Sequence, residues 1–148
     1  MLKVLIAEDD LIIADLAEEI LVDHGYQVCG IARTVSEAVK LALQHQPDLA
    51  VLDLRLADGG LGTEIAAQLR PFGRLGILYA TANIAQVTLT DADGTACLSK
   101  PYRSADLLRS LEVVIEIVAT GATRLPLPHG LQILQRRKPS RLAMLHER

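Results

Sequence analysis

Aromatic residues are scarce in this chain. Three tyrosines, one phenylalanine and no tryptophan make up 3% of its 148 residues, although half of the residues are hydrophobic. The core must therefore be assembled from Leu, Ile, Val and Ala, which suits helices laid on a parallel sheet. Cysteine is almost as rare. Cys29 and Cys97 each sit in an apolar, strand-like run, as expected of two buried free thiols rather than a disulfide, and no spacing suggests a zinc site. No apolar run approaches the ~20 residues needed to cross a bilayer, and the N-terminus has no basic region followed by a cleavage site. A soluble, cytoplasmic protein with no membrane partner is expected. Internal repeats and low-complexity segments are also lacking.

Charge is present but divided. Residues 1–123 hold 9 Lys+Arg against 17 Asp+Glu, a net of −8, whereas residues 124–148 hold 6 against 1, a net of +5. An acidic globule thus carries a short basic tail. The length suits one domain, able to bury roughly 70% of its unfolded surface. That domain is assigned to residues 1–121, with 122–148 as a basic C-terminal extension and no separate domain.

Strand and helix patterns alternate along the chain. "LKVLIA" (2–7), "YQVCGIA" (26–32), "LAVLDL" (49–54), "LGILYA" (75–80) and "TACLS" (95–99) read as short buried strands. Between them, residues 11–24 place Ile13, Leu16, Ala17, Ile20 and Leu21 on one helical stripe ending at Gly25. "TVSE" (34–37) has the form of a capping box and opens a helix to about His45. "TEIAAQLR" (63–70) makes a short third helix, and Ser104 is placed to cap a last helix ending near Gly121. Between Thr81 and Thr95 the pattern is weak, so a fourth helix there is short or irregular. Successive βα units predict an open, doubly wound parallel sheet in the order 2-1-3-4-5, with helices on both faces.

In such sheets the site lies outside the carboxyl ends of the strands. The first strand ends in Glu8 and Asp9, the third in Asp53, the fourth at Thr81 and the fifth at Lys100. Hard carboxylate ligands suit Mg²⁺, and a carboxylate beside that cation can attack phosphorus to form an acyl phosphate. The hydroxyl and the ammonium group can then hold the phosphoryl oxygens. Taken singly, these residues have plainer readings: Asp10 as a helix cap, Asp9 as a solvated turn residue, Thr81 as a turn residue and Lys100 as a surface charge. Their joint placement favours the site.

"VLIAEDD", "VLDL", "LYATAN" and "LSKPY" together resemble the receiver domain of two-component response regulators, of the stand-alone, chemotaxis-regulator-like kind, over about residues 1–121. The resemblance implies a flavodoxin-like five-stranded parallel sheet. It makes Asp53 the phosphoacceptor, fed by a histidine kinase or phosphotransfer protein. Asp9 would bind Mg²⁺ directly, Glu8 mostly through water, and Asp53 and the Arg55 carbonyl would complete the metal site. Thr81 and Lys100 would hold the phosphoryl group, and the Lys100–Pro101 peptide would be cis. Arg55 and Asn83 occupy positions that tune loss of the phosphoryl group. The protein would be a signalling switch rather than an enzyme, acting on a downstream protein target.

Three features depart from the family. Cys97 stands where the family has a switching aromatic ring. Thr81 and Lys100 are 19 residues apart, a few fewer than usual. The last helix has a core stripe (Leu107, Leu111, Val114, Ile115, Val118), yet Leu108, Val113 and Ile117 widen its apolar surface. That surface should be covered by a second copy, giving a homodimer, or by the chain's own tail. The tail is too short for a DNA-binding domain and lacks aromatics for stacking. It reads as a solvated or loosely packed extension, a partner-binding segment or, least of all, a nucleic-acid contact, and "GLQILQRR" (130–137) could form one or two helical turns. Two other functions compete: a docking module that works without phosphorylation, and a flavin- or nucleotide-binding protein of the same sheet order. The second would need a Gly- or hydroxyl-rich phosphate loop where "AEDDL" stands.

Overall fold

Six strands share one sheet in a computed structural model that describes residues 1–86 and 88–136. In chain order the elements are β1 (Lys3–Ala7), α1 (Leu11–Asp23), β2 (Gln27–Ala32), α2 (Val35–His45), β3 (Leu49–Asp53), α3 (Gly62–Leu69), β4 (Gly76–Thr81), β5 (Ala96–Ser99), α4 (Ser104–Thr120) and β6 (Leu131–Ile133). The first five strands are parallel in the expected order β2-β1-β3-β4-β5, and β6 adds antiparallel to β5. The fold is therefore the flavodoxin-like α/β architecture with one more strand than the sequence predicts.

Successive side chains of a strand point to opposite faces, and that alternation divides the core. Val4, Ile6, Leu49, Val51, Leu78, Ala96 and Leu98 meet Leu21, Leu107 and Leu111 on the α1/α4 face. Leu5, Ala7, Ala50, Leu52, Ile77, Tyr79 and Cys97 meet Ala38, Ile65 and Leu69 on the α2/α3 face. With both faces covered, the strands are apolar throughout, as read from the sequence. Leu16 departs from the expected buried stripe of α1 and is 54% exposed.

Helix starts follow their capping chemistry. The Asp10 carboxylate accepts from the Ile12 and Ile13 amides at 3.0 and 3.3 Å, so the third acid of "EDD" is indeed a cap. The Thr34 hydroxyl accepts from the Glu37 amide at 3.2 Å. Ser104 does not cap α4. Arg103 holds that position, and its amide donates to Asp106 at 3.2 Å, because the acid at the third helical position reaches back over the serine. Between β4 and β5 the chain makes only a 3₁₀ turn, Ile84–Gln86, and no α-helix among the described residues.

The tail departs most from expectation. Residues 131–133 form a strand, not helical turns. After α4 the chain folds back, the Arg124 amide donating to Glu116 at 2.7 Å, and β6 then pairs Leu131 with Leu98 and Ile133 with Ala96. Leu131 packs on the α1/α4 face and Leu134 is buried on the other. Residues 131–134 are thus tied to the sheet, whereas Leu127 ahead of them stays 48% exposed. On α4, Val113 is fully buried, whereas Leu108 and Ile117 are half-buried. Residues 137–148, with most of the basic charge, lie outside the described residues.

Replacing Leu134 with Ala should lower unfolding stability in urea by about 2–3 kcal/mol, whereas a solvated tail residue would change it by under ~0.5 kcal/mol. Burial pushes the Cys97 thiol up to about 11. Roughly 0.1% of it is thiolate at pH 8, and the thiolate is the reactive form. A thiol reagent should therefore label half-buried Cys29 well before Cys97 in the native protein, and both equally in denaturant, as read by mass.

Candidate functional site

The carboxyl ends of β1, β3, β4 and β5 bring the expected residues to one edge. Glu8 follows β1, and its amide donates to Ala32 O at 2.9 Å, extending the β1–β2 ladder by one bond. It is 5% exposed. Carboxylate oxygens of Glu8, Asp9 and Asp53 lie within 4.8 Å of one another. Lys100 enters from β5, donating a short hydrogen bond to Glu8 and lying 3.4 Å from Asp53 Oδ2. Its backbone is held on both sides: the Lys100 amide donates to Thr81 O at 2.8 Å, and the Lys100–Pro101 peptide is cis, as the resemblance implied.

Charge explains the titration of these groups. Burial raises the Glu8 carboxyl above its ordinary range; the Lys100 bond works against this and the Asp53 charge adds to it. Burial disfavours the Lys100 ammonium, but Glu8 and Asp53 outweigh it and hold its pKa above the ordinary value. The stabilisation that Lys100 gains is therefore complete throughout neutral pH and is lost only as pH rises through that elevated value. Three acids face one cation, a cluster short of positive charge and built from hard oxygen donors. Such a donor set fits Mg²⁺.

The remaining predicted residues are less central. Asp53 pairs with Ala80 across β3 and β4, which places Thr81 one step beyond it. The Thr81 hydroxyl, mostly buried, accepts from the Asn83 amide at 3.2 Å, the turn-forming role that a lone threonine would have. Asn83 and Arg55 are exposed, and an isolated bridge pairs Arg55 with Leu61. Cys97 is buried opposite Tyr79. The Tyr79 ring is fully buried, and its hydroxyl donates to Asp93 O at 2.6 Å.

Two contributors escaped the sequence reading. A Cβ on Gly62 would lie 2.3 Å from Asp53 O and 3.3 Å from the Tyr79 ring, so only glycine lets α3 start against the end of β3. Tyr102 lies among Ile6, Glu8, Ile13 and Asp53; burial, with the Glu8 and Asp53 charges, pushes its phenol up to about 12. Its place directly after Lys100–Pro101 was the available signal. Tyr102 also walls an open groove of about 910 Å³ beside Lys100, with Ile13, Leu16, Ile20 and Pro101.

The response regulator receiver domain model matches residues 4–112. The transcriptional regulatory protein PdtaR of Mycobacterium tuberculosis is 33% identical over 120 residues, covering 76% of this chain and 56% of its own. Among solved structures, the signal receiver domain of a modulated diguanylate cyclase from Desulfovibrio desulfuricans superposes with TM-score 0.71 at 28% identity, over 82% of this chain and 98% of that one. An anti-anti-sigma factor PhyR variant from Bartonella quintana does so with TM-score 0.61 at 30% identity, over 70% and 43%. The chain spans about half the length of the curated relatives it matches. The family match, the sheet order and the converging acids and lysine agree: this chain belongs to the response regulator receiver domain family of two-component signalling.

Proposed function

We propose that this chain is a receiver that accepts a phosphoryl group on Asp53 and signals by protein–protein contact. The observation that carries the reading is the meeting of Glu8, Asp9, Asp53 and Lys100 at the ends of three strands, β1, β3 and β5. An Asp53 carboxylate oxygen forms the new bond to phosphorus. The bond to the donor's imidazole nitrogen breaks, its electron pair stays with the ring, and the ring takes a proton from water. The donor is a phosphohistidine on a histidine kinase or phosphotransfer protein, and the apolar groove walled by Tyr102 suits its approach. Glu8, Asp9, Asp53 and the Arg55 carbonyl would hold Mg²⁺, which supplies charge neutralisation as negative charge gathers on the phosphoryl oxygens. Lys100 and Thr81 bind those oxygens, Thr81 giving up its turn contact with Asn83 to do so. Arg55 and Asn83, exposed beside the site in sequence, set how readily water reaches the product.

The site of action is the cytoplasm, where such donors act, and no helix among the described residues is long and apolar enough to cross a membrane. The downstream target is a protein. A second reading, docking without phosphorylation, is favoured by the missing helix between β4 and β5 and by the PhyR likeness. Incubation with acetyl phosphate separates the two. A single Mg²⁺-dependent phosphoryl adduct, absent from Asp53→Asn, supports the switch, and no adduct with any donor supports the docking module.

The charge deficit gives a further expectation. Lys100→Met leaves Glu8 buried without its cation and should cost about 3 kcal/mol in urea unfolding. Mg²⁺ at ten times its Kd should stabilise the native chain by about 1.4 kcal/mol, and Asp9→Asn should abolish that gain.

A further inference from the structure

At both ends the tail strand is bonded to segments that connect to the site. At its upper end Gly130 O accepts from the Ser99 amide at 2.9 Å. Ser99 pairs with Thr81 and precedes Lys100. At its lower end the Leu134 amide donates to Thr95 O at 3.0 Å, and Gln135 O accepts from the Asp91 amide at 3.2 Å. Asp91 belongs to the helix-free connection that starts at Thr81. Gly130 itself has φ +84, and a Cβ there would lie 3.1 Å from the Ser99 Cβ. The strand has three residues, few enough for one lost backbone bond to matter.

We propose that residues 122–135 form a strap whose hold on β5 is coupled to Asp53, so that modification of Asp53 loosens β6. The inference rests on Asp53 being the phosphoacceptor. Negative charge added at Asp53 competes with Glu8 for Lys100 and draws the Thr81 hydroxyl away from Asn83. Both shifts act on backbone that the strap grips: Lys100 is one bond from Ser99, and Thr81 opens the connection that carries Asp91. The coupling needs no swinging ring at position 97, where Cys97 is locked opposite the anchored Tyr79. By linkage it is reciprocal: a weakened strap favours modification by the same factor that modification weakens the strap.

Amide hydrogen exchange on the full-length chain tests this, with beryllofluoride and Mg²⁺ as the probe and intact mass under native conditions to register the adduct. The amides of residues 131–134 should exchange at least tenfold faster in the adduct, and Asp53→Asn should show no change. Gly130→Ala, which disturbs the strap without touching the site, should bind beryllofluoride at least threefold more tightly. Leu134→Ala should act in the same direction should Gly130→Ala not fold. Unchanged exchange at 131–134 in a chain that carries the adduct overturns the coupling. The Lys100 amide gives a readout that needs no adduct. Gly130→Ala should speed its exchange severalfold, and no change there overturns the coupling even if Asp53 takes up nothing, an outcome that would separately sink the phosphoacceptor reading.

Discussion

Three carboxylates share one buried edge with a single ammonium group, and the rest of the site follows from that imbalance. In water such charges would cost little, but Glu8 is nearly inaccessible, and a buried carboxylate without a partner is strongly destabilising. Lys100 is therefore held in place twice over: by its bonds to the acids and by its backbone bond to Thr81. One cation still cannot balance three acids. The residual negative charge, carried on hard oxygen donors, suits this edge to a divalent ion.

The parallel sheet makes this geometry available. Each βα unit delivers one strand end to the same edge, so four separate pieces of sequence contribute one or two polar groups each. The alternation of side chains seals the space beneath them with Leu, Ile and Val. Gly62 completes the arrangement. By lacking a side chain it lets α3 begin against the Asp53 carbonyl and the Tyr79 ring together, tying the end of β3 to the one large aromatic of the core.

Much of this was legible in the sequence, because it rests on local chemistry. Asp10 and Thr34 announce their helices through capping, and Glu8, Asp9, Asp53, Thr81 and Lys100 stand at strand ends that hydrophobic runs mark clearly. The rest depends on contacts between distant residues. Three residues of β6 are too few to show a period of two against a helical one, and only β5 selects the strand. Leu16 fits a buried stripe by spacing, yet no element among the described residues covers that side of α1. Gly62 looks like one more loop glycine until Asp53 is seen behind it. Cys97 was recognised as a departure, but nothing in its own neighbourhood revealed that Tyr79 on the next strand fills the space and is pinned by Asp93.

The capping of β5 by β6 has a colloidal consequence. Without it the sheet would end in Ala96–Ser99, a short apolar strand with open backbone groups, the kind of edge onto which other chains accrete. The replacement edge is poorer bait: the Leu131 amide is already spent on Pro128 O and Gln135 O on Asp91. At the far margin, the register slip between Val4 and Leu5 in the β1–β2 pairing spoils regularity in the same way. Clipping the chain after α4 would strip one of these guards, turning the receiver into a seed for edge-to-edge growth.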